Sequence, residues 1–234
     1  MLLSTPAFIL HTTPYGDTSV VIKAFTRLLG IRSYIAKGIR RRHPAIPATL
    51  LQPLSCLDIV VYETPRTDLN HIKETALRPP LPPSASPSVD ALRFFAAEFL
   101  YKTLPEAEPS PDLWDYIEAQ SHLWYTSAPP TSSTPPLLLL GILRHLGLLP
   151  LDNCSPSCPL FDLQQGSFVS TAGETTLPPA LSATLHRCLA SPRPSASSDP
   201  QTPLLLTALI DYCRFHVSGF RNFTSHEILH SVFA

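Results

Sequence analysis

The first 78 residues carry apolar positions with the period of two that is typical of β-strands. Valine, isoleucine, threonine and aromatic residues are concentrated in these stretches. Strands are predicted over residues 8–10, 19–26, 31–37, 54–62 and 69–77, with turns at 14–17 and 29–30. Five short strands in about 78 residues, joined by hairpin-like turns, predict a small closed barrel.

The apolar period changes to 3.6 after a proline-rich run at 79–88, which cannot form a helix and is expected to be a stiff linker. Helices are predicted near 92–100, 111–124, 137–148, 181–189, 205–212 and after a capping box at 224–227, with a short hairpin at 161–169. The chain is therefore predicted to be an α+β protein. A barrel domain (1–78) precedes a mainly α-helical domain (89–234) that carries the hairpin.

Charge is distributed unevenly along a chain that is nearly neutral overall, with 17 Lys+Arg, 18 Asp+Glu and a net charge of −1. Residues 1–78 hold ten bases and five acids, whereas residues 79–234 hold seven bases and thirteen acids. Four cations fall within six residues, at Lys37, Arg40, Arg41 and Arg42. A basic first part indicates a polyanionic partner, although a solvated basic turn would give the same pattern.

A small barrel with cations on its strands and on the following loop has the residue types of a single-strand binder. A positive groove holds the phosphates, and aromatic faces stack the bases. The candidate cations are Lys23, Arg32, Lys37, Arg40, Arg41 and Arg42, and the candidate stacking residues are Tyr15, Tyr34 and Phe25. For each aromatic residue, packing in the barrel core is the competing interpretation. Arg41 and Arg42 do not suit a core, because buried unpaired guanidinium groups are costly.

Several classes of function have little support in the sequence. No metalloprotease motif, nucleophile elbow or phosphate-binding glycine loop is present, and the chain has only 8 glycines, so neither an enzyme nor a small-molecule substrate is expected. The apolar stretch 137–149 is short and is interrupted by Arg144 and His145, so no membrane span is expected. Five scattered cysteines favour a reducing cytoplasm over a disulfide framework.

A set of short motifs resembles the bacterial RecO recombination mediators. They are Tyr-Gly-Asp at 15–17, a strand that ends in Phe-Thr at 25–26, Lys-Gly-Ile-Arg at 37–40, Leu-Gln-Pro at 51–53, Leu-Gly-Leu-Leu-Pro at 146–150, and the segments 211–216 and 219–220. Each motif alone is weak, but together they span most of the chain in the same order as in that family.

The resemblance implies an N-terminal OB-fold and a helical C-terminal domain. It also implies that the chain binds single- and double-stranded DNA and anneals complementary strands. With RecR, and in some lineages RecF, such proteins help to load RecA on DNA coated by single-strand binding protein, which implies a cytoplasmic, nucleoid-associated location. The motif assigns DNA contact to Lys37 and Arg40. Two alternatives are an OB-fold RNA-binding or translation accessory protein, and an interaction scaffold whose basic loop docks an acidic protein.

Zinc is the point at which this sequence departs from some members of that family, which hold the metal with two cysteine pairs. Cys154 and Cys158 stand at the place of the first pair, and no second pair follows. His186 and Cys188 are two positions apart on a predicted helix and would point to different sides. Because a structural zinc site needs four ligands, we expect a degenerate pair or free thiols, and no cofactor.

Overall fold

The computed structural model describes residues 2–39, 44, 46–63, 69–78, 86–106, 108–126, 129–190 and 200–233. The chain divides into two compact units, Met1–Ser127 and Ala128–Ala234. The first unit contains the barrel together with two helices. The predicted domain limits 1–78 and 89–234 stay a prediction. The division into compact units follows contacts between residues and does not show where the barrel domain ends.

Five strands close into a barrel in the order β1-β2-β3-β5-β4, with β1 returning to pair with β4. They are β1 (Leu2–Tyr15), β2 (Ser19–Thr26), β3 (Gly30–Ala36), β4 (Cys56–Tyr62) and β5 (Leu69–Leu77). All neighbours pair antiparallel except β3 and β5, which are parallel. This is the five-stranded barrel of an OB-fold, as predicted.

Strand β1 is longer than the sequence pattern predicts. It runs through Pro14 to Tyr15, so the turn occupies the residues that follow, beginning at Gly16 with φ of +62°. Beyond Phe8 the register pairs β1 with β2 and no longer with β4. A proline, which has no N–H to donate, is tolerated at such a free strand edge.

The barrel interior is filled by alternate residues of its strands. Ile22, Ala24, Tyr34, Ile59 and Val61 belong to this core, and each is fully buried. Their alternation with outward-facing residues follows the period of two that identified the strands.

Two helices complete the first unit, α1 (Pro87–Thr103) and α2 (Pro111–Thr126). The predicted apolar stripe of α1 is buried throughout. α1 begins at Pro87, so the end of the predicted linker is helical, because proline fits the first turn of a helix. Residues 79–85 of that linker lie outside the described residues. α2 buries Trp114 against Phe8 of β1, with ring centroids 5.0 Å apart.

The second unit consists of helices and the predicted hairpin. Its elements are α3 (Thr134–His145), β6 (Leu160–Asp162), β7 (Ser167–Val169), α4 (Pro179–Ala190), α5 (Leu205–His216) and α6 (Ser225–Phe233). Phe161 and Phe168 face each other across the antiparallel hairpin and pack edge to face. Among the helices that the structure describes, none has the length and apolar character needed to cross a bilayer.

Candidate nucleic-acid interface

The register between β2 and β3 decides which predicted cations share a surface. Lys23 lies opposite Ser33, and Ala24 lies opposite Arg32. Residues paired across two strands point to the same side of a sheet, and successive residues point to opposite sides. Ala24 faces the barrel core, so Arg32 shares that inner side, while Lys23 lies on the outer side. The structure therefore does not bring Lys23 and Arg32 together.

Lys23 is already engaged by the protein. Its ammonium group donates a hydrogen bond to Ser33 Oγ at 3.3 Å and forms an ion pair with the Glu106 carboxylate. The Lys23 side chain is only 18% exposed, whereas that of Glu106 is 71% exposed. Lys23 can therefore contact a phosphate only if the Glu106 carboxylate moves away from it.

Arg32 is half-buried and has unused binding capacity. Its Nε atom is buried without a hydrogen-bond partner, and its guanidinium has no ion pair with any residue that the structure describes. A guanidinium carries five N–H donors in a planar arrangement that suits phosphate oxygens. Arg32 is thus a cation with no acid to neutralise it among the described residues.

Lys37 follows the last residue of β3 and is exposed, again with no ion-pair partner in the described part of the chain. The backbone beyond it turns at Gly38, with φ of +71°, and the Ile39 N–H donates to the Thr18 carbonyl at 2.9 Å. This bond holds the residues after β3 beside the β1–β2 turn. The predicted contacts Arg40, Arg41 and Arg42 come next in the sequence and lie outside the described residues.

Tyr15 lies at the same end of the barrel as Lys37. Tyr15 pairs with Ser19, and Lys37 is the next residue after Ala36, which pairs with Val20. Tyr15 is 55% exposed, so its ring is accessible beside a cation that has no ion pair with a described residue. Tyr15 and Lys37 thus share one end of the barrel, with β2 between their strands.

Tyr34 does not offer a face to a base, which corrects its assignment as a stacking residue. It is fully buried in the barrel core, and its hydroxyl donates to Glu63 Oε1 at 3.2 Å. Burial, and after it the Glu63 carboxylate, raises the pKa of the Tyr34 phenol. Phe25 is also fully buried. Both residues follow the competing interpretation, in which small barrels fill their interior with such side chains.

Two further cations of the barrel connect it to α2. Arg27 forms two hydrogen bonds with the Asp115 carboxylate, at 2.8 and 3.0 Å, and lowers the pKa of that group. Arg78 lies 3.6 Å from Glu118 and 3.7 Å from Asp58, with its guanidinium carbon 5.7 Å from the centre of the Trp114 ring. We call Arg27 and Arg78 with these partners the α2 clasp. Sequence reasoning missed it, because the partners are 88 and 40 positions apart.

The acidic residues that follow the barrel in sequence balance its excess of bases. Residues 79–127 hold seven acids and two bases, so the compact unit Met1–Ser127 contains twelve of each and is neutral as a whole. The predicted excess of bases therefore holds for residues 1–78 but not for the compact unit that contains them. What matters for a polyanion is which cations lack a partner.

The predicted degenerate cysteine pair lies in the second unit. Cys154 and Cys158 flank a tight turn in which Ser155 and Cys158 form a β-bridge, and both thiols are free. His186 Nδ1 is 2.6 Å from a carboxylate oxygen of Asp152. Within the described ranges, no group of three or more His, Cys, Asp and Glu side chains is arranged to hold a metal ion. The absence of a cofactor stays a prediction.

Comparisons with known proteins agree with the fold. The family profile described as the N-terminal part of recombination protein O matches residues 1–80. The chain is 33% identical to the DNA repair protein RecO of Phocaeicola vulgatus over 175 residues, which cover 73% of this chain and 71% of that protein. It is 24% identical to the DNA repair protein RecO of Flavobacterium psychrophilum over the full length of both.

The closed five-stranded barrel, followed by helices, defines an OB-fold protein. The chain belongs to the RecO family of DNA repair proteins.

Proposed function

We propose that this protein is a recombination mediator that holds single- and double-stranded DNA along β3 and the residues that follow it. One observation carries the proposal. Six Lys and Arg side chains are described in the barrel, and four of them, Lys23, Arg27, Lys73 and Arg78, are paired with carboxylates. The two without a partner among the described residues are Arg32, in the first half of β3, and Lys37, which follows β3 and lies three positions before the arginines at 40–42.

Contact with phosphates explains both binding and annealing. Each cation that reaches a phosphate releases a counterion, which makes binding independent of base order and sensitive to salt. A protein that neutralises phosphates on two strands lowers their repulsion and raises their local concentration. In this proposal Tyr15 stacks a base of a single strand, and Tyr34 and Phe25 have no direct contact with DNA.

The remaining steps of the proposed function follow from the family resemblance. The protein works with RecR, helps to load RecA on DNA coated by single-strand binding protein, and acts at the nucleoid. The second unit serves as a surface for protein partners. None of these steps needs covalent chemistry, so the protein is a mediator and not an enzyme.

The test is fluorescence-anisotropy binding of a labelled mixed-sequence single-stranded DNA, titrated with salt. Replacement of Arg40, Arg41 and Arg42 by Ala should weaken binding by about tenfold or more at low salt. It should also reduce the salt slope by about two, because each phosphate contact on a single strand contributes about 0.7. The loss should be similar for all base sequences.

A matched control removes the same charge from the second unit. Arg144, Arg187 and Arg214 are all exposed, and their joint replacement by Ala should change affinity by less than about twofold. Equal losses in the two triple variants would contradict the proposed site. Preference for an RNA of the same sequence would favour the RNA-binding alternative, since only RNA offers the 2′-hydroxyl.

A further inference from the structure

The connection between α1 and α2 returns to the start of β3, where backbone contacts hold it in place. Glu106 forms a parallel β-bridge with Ile31. Two residues later the Glu108 backbone passes so close to Gly30 that a Cβ at position 30 would lie 2.2 Å from the Glu108 carbonyl oxygen. Gly30 also has φ of +67°, which favours glycine. The position of Glu106 is therefore set by the fold and not by its side chain alone.

This seating places the Glu106 carboxylate on Lys23, a cation of the outer face of β2. A carboxylate and a phosphate present the same kind of anionic oxygen to an ammonium group. Solvent reaches this ion pair from the carboxylate side, because the Glu106 side chain is 71% exposed whereas that of Lys23 is 18% exposed. Water screens the exposed Glu106 carboxylate and weakens its hold on Lys23, so a phosphate can take the place of the carboxylate.

We propose that Glu106 is an internal competitor for DNA phosphates at Lys23, and that this autoinhibitory contact lowers the affinity for DNA. The inference rests on the proposed function and assigns a regulator to a further cation of the same barrel. DNA that reaches Lys23 must first displace Glu106. A simple structural brace would contribute to stability and leave DNA affinity unchanged.

The experiment compares Glu106→Gln with Glu108→Gln by anisotropy of the labelled single-stranded DNA across a salt titration. Glu108 is an exposed neighbour with no ion pair to a described residue, so its replacement removes the same charge without freeing Lys23. E106Q should bind about threefold to fivefold more tightly at low salt. Its salt slope should be steeper by about 0.7, the value of one added phosphate contact. E108Q should change affinity by less than twofold.

A second pair of variants ties the effect to the lysine. In a Lys23→Gln background, E106Q should have no effect beyond that of E108Q. The inference is overturned if E106Q and E108Q behave alike, if the gain persists without Lys23, or if E106Q lowers the melting temperature with no change in affinity. If the wild type binds DNA, any of these three results contradicts the role of Glu106 and leaves the proposed function intact. Absence of binding by the wild type and by every variant at low salt would remove the proposed function with it.

Discussion

Two sides of the same barrel use their cations differently. On the side that α2 covers, Arg27 and Arg78 are held by Asp115 and Glu118. On β3 and immediately after it, Arg32 and Lys37 meet no carboxylate among the described residues. The residue types are the same, so the difference arises from where acidic side chains of the first unit reach the barrel. A cation is available to a polyanion only where no acidic side chain reaches it.

The spacing of acids on α2 explains why one side is neutralised. Asp112, Asp115 and Glu118 recur every three residues, which places them along one face of the helix. Burial of Trp114 against Phe8 orients that face toward the barrel arginines. The apolar contact thus sets the geometry that the ion pairs then use.

The largest expected effect comes from removing this apolar contact. Trp114→Ala should lower the free energy of unfolding by about 3–5 kcal/mol, because it deletes a large side chain that is 1% exposed. Urea unfolding of the full chain, followed by circular dichroism, measures the loss. The affinity of the folded protein for DNA should change little, since Trp114 does not lie on the proposed interface.

Trp114→Phe is the control for this substitution. It keeps an aromatic ring against Phe8 and removes an indole N–H that is buried without a hydrogen-bond partner in the described structure. The loss of stability should therefore be smaller than for Ala. Unchanged stability of Trp114→Ala would show that α2 does not depend on this contact and would break the contrast between the two sides.

The smallest expected effect concerns the pH dependence of the clasp. The hydrogen bond from Arg27 lowers the pKa of Asp115 below its ordinary value of 3.8. A carboxyl group with a lowered pKa in the folded state stabilises that state above its unfolded pKa, and the contribution is lost as pH falls through the folded pKa. Asp115→Asn should therefore reduce stability at pH 7, and the difference from the wild type should shrink below about pH 4.

Urea unfolding of the wild type, Asp115→Asn, Arg27→Gln and the double variant at several pH values measures this effect. The two substitutions should be coupled at neutral pH, and the coupling should decrease in acid. Additive effects at pH 7 would mean that the ion pair contributes nothing to the folded state. Arg27 and Asp115 would then be neighbours whose ion pair does not stabilise the fold.

The fold could be predicted from the sequence because its signals are local. Strands β2 and β5 end where the alternation ends, and the apolar stripe of α1 is the face that the structure buries. The exception is β1, which continues through Pro14 because that part of the strand pairs with β2 alone. An isolated sequence does not reveal which strand edges are free.

The candidate site could be predicted only in part, because its chemistry depends on long-range contacts. Alternation on β3 separated Arg32 and Tyr34 from Ser33 and Lys37, but it did not reveal which set faces the core. The partners of Lys23 and Arg27 are 83 and 88 positions away in sequence. Counting cations therefore overestimated the free positive charge of the barrel. The assignments of Lys37 and Arg40 to DNA contact stay predictions.

The most direct test compares two double variants that remove the same charge from the two sides of the barrel. Arg32→Gln with Lys37→Gln is compared with Arg27→Gln and Arg78→Gln, by anisotropy of single-stranded DNA across a salt titration, after thermal unfolding shows that both are folded. The β3 pair should weaken binding by about tenfold at low salt and reduce the salt slope by about 1.4, while the clasp pair changes affinity by less than about twofold. Equal losses in both variants, or a larger loss in the clasp pair, would contradict a DNA interface along β3 and the residues that follow it.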